Sequence, residues 1–264
     1  MDKNQVLVPA FLSARRFCLL AGLVVSVVVC LGLAADSLIE TEPGLTTEAV
    51  LWRFSLDSDS SVPTWFASIL LGLAALLLGV SASLASSAAD RQAWCWWLLS
   101  GIFWLLSLDE VAMLHELSGT ILKRIVPALG DLRGVFYFTW TMVAIPLVLL
   151  LGLVLLRWFF DLPSRTRTLF GLSAFLFISG SVGVEMLNAS VAANDVIAGG
   201  GRSGRYLVGN FIEEALEFSG VILFIYAQLK YLKSRGVSFV LAFRASSNRD
   251  SVKQMAQPIK CEGE

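Results

Sequence analysis

Six stretches of this chain are apolar over enough residues to cross a lipid bilayer, and that property constrains the fold more than any other. A hydrocarbon layer about 30 Å thick needs about 20 helical residues. The runs lie near 17–35, 65–86, 94–116, 135–157, 168–190 and 207–231, and acidic residues interrupt the last two. Pro146 inside the fourth predicts a kink, which membrane helices tolerate. The fold class expected is all-α: an integral membrane helical bundle of six transmembrane helices. Residues 1–16 are read as a cytoplasmic N-terminus, 17–235 as the six-span domain and 236–264 as a polar cytoplasmic tail.

Composition agrees. Hydrophobic residues make up 56% and charged ones 16%, against about 25% charged in ordinary globular chains. Mean hydropathy is +0.73. A net charge of −1 leaves no basic surface for nucleic acid, and the apolar content excludes disorder for most of the chain. Cys18, Cys30, Cys95 and Cys261 have no metal-ligand or disulfide spacing and read as packing residues plus one tail thiol.

Lys and Arg in the connecting segments set the direction of the spans. Fourteen fall on the side of the two termini and six on the other, which places both termini in the cytoplasm of a bacterial-type inner or plasma membrane. Trp65 and Trp140 then sit near the outer interface, and Trp94, Trp96, Trp97 and Trp158 near the inner one. Basic residues, an apolar stretch and small residues at Gly32–Ala34 also spell a cleavable signal peptide, but the apolar core is longer than such peptides carry. Between the first two spans, "EAVLWRF" can form a short surface helix. After the third, Leu117, Ile121, Leu122, Ile125 and Leu129 share a stripe that predicts a short interfacial helix continuing that span.

The most informative feature is acidic. Seven carboxylates fall inside expected spans: Asp109, Glu110 and Glu116 on the third, Glu185 on the fifth, and Glu213, Glu214 and Glu217 on the sixth. His115, the one histidine of the chain, is among them, with no Lys or Arg expected at that depth. Seven unpaired carboxylates facing lipid would cost on the order of 15–20 kcal/mol, more than a fold of about 5–15 kcal/mol stability can carry. They must hold protons, face water or surround a cation. The alternating direction of the spans brings all three motifs to the outer end. Helical periodicity places Asn210, Glu213, Glu214 and Glu217 on one stripe, Asp109 and Glu116 on another, and Glu185 with Ser181 and Asn188 on a third.

Carboxylate oxygens suit Mg, Ca or Mn, and with imidazole also Fe or Zn. A divalent metal ion is therefore expected, held by Asp109, His115, Glu116, Glu213 and Glu217, with Asn188 and Asn210 supporting these ligands. Glu110, Glu185 or Glu214 is the candidate general acid or base, with activation of a bound water or binding of an oxidant as the chemistry. The substrate expected is a lipid or lipid-linked molecule met in the bilayer. Helical di-iron and di-manganese proteins carry two Glu-x-x-His motifs; here Glu110 and His115 are five apart and one His is present, so that pattern is not met.

Two other classes compete. A cation- or proton-coupled transporter or channel would need a polar path to the cytoplasm, and the inner halves offer little beyond Ser100, Ser107, Ser173 and Ser179. A non-catalytic metal-binding sensor or assembly protein would need only the cluster. Single intramembrane glutamates often just pair helices; seven at matched depth argue for more. "GRSG" at 201–204 has a rhomboid-like spelling but no His follows it, and Asn188-Ala189-Ser190 lies in a span, so neither carries a function. Lys123, Arg124, Arg133, Arg202 and Arg205 form an expected basic rim above the acidic cluster, read first as headgroup contact and second as an anion seat.

Overall fold

The structure, a computed structural model, describes residues 13–41, 44 and 47–237. The described residues are helical throughout: α1 (Ala14–Thr41), α2 (Glu48–Leu51), α3 (Val62–Ser87), α4 (Ala93–Ala112), α5 (Leu114–Ile125), α6 (Thr141–Asp161), α7 (Ser164–Ile178), α8 (Glu185–Ile197) and α9 (Gly204–Ser234). Two short 3₁₀ segments, Pro127–Asp131 and Gly134–Phe136, link α5 to α6, and a π-helical segment, Ser179–Val184, joins α7 to α8. Five helices are long and apolar enough to cross a membrane: α1, α3, α4, α6 and the continuous helix Ser164–Ile197. The chain is a multi-pass membrane protein. Its surface is correspondingly apolar, with Leu153, Phe175 and Leu19 about two-thirds exposed.

Local chemistry sets the helix ends. Ser61 accepts a hydrogen bond from Thr64 N at 3.3 Å and Pro63 fills the first turn of α3. Ser203 caps α9 the same way, accepting from Tyr206 N at 3.3 Å. Along α3 the small residues Ser68, Gly72, Ala75 and Gly79 face α4, a contact of the kind that lets membrane helices approach closely. Ser107 Oγ donates to Ser68 O at 2.9 Å and Ser100 Oγ to Ala75 O at 2.9 Å. α9 packs along α1, α3 and α7. Away from the acidic residues the bundle closes on aromatic rings: Trp96 meets Trp158 edge-on at 4.8 Å and stacks on Tyr231 at 4.9 Å. α6 is the least embraced of the long helices, burying only Thr141, Leu155 and Trp158.

Several expectations change here. The third expected span, 94–116, stops at Ala112, because Met113 takes a left-handed conformation (φ 51°) and the chain restarts as α5. His115 and Glu116 therefore belong to the first turn of a separate helix, and the common face inferred for Asp109 and Glu116 does not exist. The stripe on α5 ends at Ile125; Leu129 lies in the 3₁₀ segment beyond it. α1 runs past residue 35 to Thr41 and carries Asp36 into the interior. The sixth expected span, 207–231, is helical within α9, but α9 is not one of the five strongly apolar helices. Trp96 and Trp158 are core residues, whereas Trp94 and Trp97 are half exposed as a belt would have them. Residues 1–12 of the expected N-terminus, residues 238–264 of the expected tail, and Cys261 lie outside the described residues.

Candidate functional site

The acidic side chains converge on one cavity of about 520 Å³. Among the described residues lining it are nine carboxylates, from Asp57 and Asp59 in the α2–α3 loop, Asp109 and Glu110 on α4, Glu116 on α5, Glu185 on α8, and Glu213, Glu214 and Glu217 on α9. Opposite them stand one histidine, His115, and one lysine, Lys123. Lys123, exposed on α5, contributes a basic side chain to the cavity lining.

Asp109 does more than line the wall. Its Oδ1 accepts from His115 N at 2.7 Å, which caps the restarted helix, and its Oδ2 meets His115 Nδ1 at 3.0 Å. One carboxylate thus fixes both the first turn of α5 and the imidazole, leaving Nε2 as the ring nitrogen without that partner. The ring also sits edge-on to Trp140 at 5.0 Å. Burial opposes a charge on His115, but the hydrogen bond and charge of Asp109, with the charges of Glu116 and Glu185, outweigh it, so the imidazole titrates above its ordinary value. Asp59 in the loop is raised by burial, with the His115 charge as a partial offset.

Across the cavity Trp140 Nε1 donates to Glu185 Oε1 at 3.3 Å, which takes Trp140 from an expected interfacial anchor into the site. Glu185 and Glu213 line the same cavity. Carboxyl groups gathered there need protons, water or a cation. Glu185 owes its place to the π-helical segment that ends immediately before it, which shifts the helical register of everything downstream. Gly180 in that segment lets α9 approach: a Cβ there would stand 2.8 Å from Glu213 O. Glu110, Glu214 and Glu217 form the floor, next to Phe177 and Phe218. Among the described residues, no group of three His, Cys, Asp or Glu side chains is set as it stands to hold a metal ion.

A second network braces the wall. Asp57 accepts from Tyr206 OH at 2.7 Å, Asn210 Nδ2 at 3.0 Å and Arg202 Nη1 at 3.1 Å. Asn188, buried, donates to Asn210 Oδ1 at 2.6 Å through the space left by Gly209, whose Cβ would collide with the Asn188 side chain. Asn188 thus holds Asn210, which lines the cavity, while Asn188 itself does not. Arg202 departs from the expected rim. It reaches Glu40 at 2.7 Å and Asp36 at 3.0 Å and lies 4.8 Å above the Trp52 ring. Asp36 in turn accepts from Ser55 Oγ at 2.5 Å and Leu56 N at 3.0 Å. Arg124, Arg133 and Arg205 remain exposed.

Sequence reasoning missed Asp57, Asp59, Tyr206 and the Asp36–Arg202 pair. A loop aspartate carries no depth signal, but Asp36, directly after an apolar run, could have been read as a buried partner for one of the six opposing basic residues.

Fold and site together define a multi-pass helical membrane protein with a carboxylate-lined cavity at one end of its bundle. The chain belongs to the family described as domain of unknown function DUF8692, which it matches over residues 17–231. No curated protein and no solved structure matches it.

Proposed function

We propose that the cavity binds a divalent metal ion and that the protein is a membrane-embedded enzyme acting on a lipid or lipid-linked substrate. The observation that carries this reading is the convergence of nine carboxylates from five chain segments on one cavity against one lysine and one histidine. In this reading α9 is the sixth span: its 31 residues extend about 46 Å, beyond the roughly 30 Å of hydrocarbon. α5 lies in the interface, with Leu117, Ile121 and Ile125 turned outward. In this reading the cavity opens on the side opposite the start of α1 and the end of α9.

His115 Nε2, Glu116, Glu185 and Glu213 are the ligands this geometry favours, after the glutamates swing inward. Glu217 and Asp109 then serve from behind, Asp109 by holding the imidazole. A metal there would supply a Lewis acid and lower the pKa of bound water. Glu110 and Glu214, on the floor, are placed to give or take a proton at the inner face of the cavity. Lys123 at the mouth suits an anionic substrate group. A through-path for ions is disfavoured by the floor: beyond Glu217 the wall becomes Leu70, Leu71, Phe177 and Phe218. Ser100, Ser107 and Ser173 are spent on backbone carbonyls.

The test is elemental analysis of detergent-purified protein. Stoichiometric metal, lost in Glu213→Gln and His115→Ala, is the expected result. Metal-free protein that conducts cations in proteoliposomes would overturn the reading in favour of transport.

A further inference from the structure

Beside the carboxylate cavity lies a second one of about 470 Å³ with an almost wholly hydrocarbon lining. It runs between α4, α6, α7 and α9, and on α6 it extends from Ala144 to Phe159, about 22 Å of helix. Its existence follows from how little α6 is embraced. Gly152 faces it, and a Cβ there would meet nothing within 4 Å. The space is open along one side, and a hydrocarbon chain seated in it would gain dispersion contacts along its whole apolar lining. The two cavities also adjoin: Leu106, Trp140, Phe177 and Ser181 line both. At that junction Trp140 gives its indole N–H to Glu185 on the polar side. Hydrocarbon space therefore ends where the carboxylates begin, the division an amphiphile has along its own length.

Resting on the lipid-substrate reading above, we propose that this limb binds one hydrocarbon chain of a membrane lipid and presents the lipid's polar end to the carboxylate cavity. The chain enters beside α6, and Gly152 keeps its path open.

The full chain, reconstituted in vesicles containing a phospholipid with a photoreactive diazirine at the end of one acyl chain, is irradiated and the labelled residues are mapped by mass spectrometry. Limb residues Leu151 and Phe170 should label roughly tenfold more than the exposed Leu153 and Phe175, the excess that a packing preference of about 1.4 kcal/mol for the limb over fluid lipid corresponds to. Gly152→Trp fills the limb and should abolish that excess; Gly152→Leu, a smaller filler, should reduce it. Equal labelling of the two sets in the wild-type chain, or an excess that survives Gly152→Trp in protein of unchanged thermal stability, overturns the proposal as annular lipid. Metal content separates the two readings. Selective limb labelling in metal-free protein supports the chain site and sinks the metal, whereas stoichiometric metal with unselective labelling does the reverse.

Discussion

The two ends of this bundle solve the same packing problem in opposite ways. At the aromatic end, Trp96, Trp158, Phe170 and Tyr231 close the helices ring against ring, and the buried Gln228 donates to Ser81 Oγ at 2.8 Å. At the carboxylate end the helices stop short of each other, and like charges line the space between them. Burying apolar surface repays itself locally, whereas a set of carboxylates is stable only through protons, water or a cation. The first end holds the bundle together; the second is kept open, and its walls need their own bracing.

The sharpest way to break this contrast is to remove the brace. Arg202→Ala leaves Asp36 charged and buried without its partner, and a loss of about 3–5 kcal/mol is expected, read as a large drop in thermal stability in detergent. Asp36→Asn in the same chain should restore part of it; no restoration would mean that Arg202 acts through Trp52 and Glu40 instead. At the aromatic end, Trp96→Ala should cost a similar amount, about 3–5 kcal/mol, through the cavity it leaves. On the proposed metal reading, metal per folded protein should stay unchanged, and loss of metal in this variant would show that the two ends are not separate.

Gly209→Ala probes the support behind the wall. The added methyl collides with Asn188, so overpacking of about 1–3 kcal/mol is expected, with Asn210 displaced and cation affinity lowered. The smallest effect is the titration of His115. Its folded pKa lies above the ordinary value, so its contribution to apo-protein stability is complete below about pH 6.5 and is lost as pH rises through the raised value. Cation binding has the opposite sign: a protonated imidazole cannot ligate, so affinity should rise across the same window, and His115→Gln should flatten both profiles in thermal-shift and metal-titration measurements.

The contrast between the ends also marks what could be read along the chain. Apolar run length and the 3.6-residue period are properties of short segments. They sufficed to place apolar runs where α3, α6 and the 164–197 helix lie; Glu185, Glu213, Glu214 and Glu217, carried on expected spans, line one cavity. Alternation of direction between consecutive spans carried the convergence, because it needs only their number. Loop residues have no such constraint. Asp57 and Asp59 enter the cavity from a loop outside the expected spans, and Arg202 looked like a headgroup contact until its three acidic partners came from segments more than a hundred residues away.

The amino-acid sequence alone determined that this is a helical membrane chain with carboxylates set inside its apolar runs, because insertion energy depends on residue type and position along a helix. Tertiary structure decided which of them face one another. A left-handed Met113 moved His115 and Glu116 onto a new helix, a π-helical segment set the register that brings Glu185 to the cavity, and a loosely held α6 left a hydrocarbon space beside it. Each is a backbone choice of small local cost, settled by packing between segments rather than by the residues that make it.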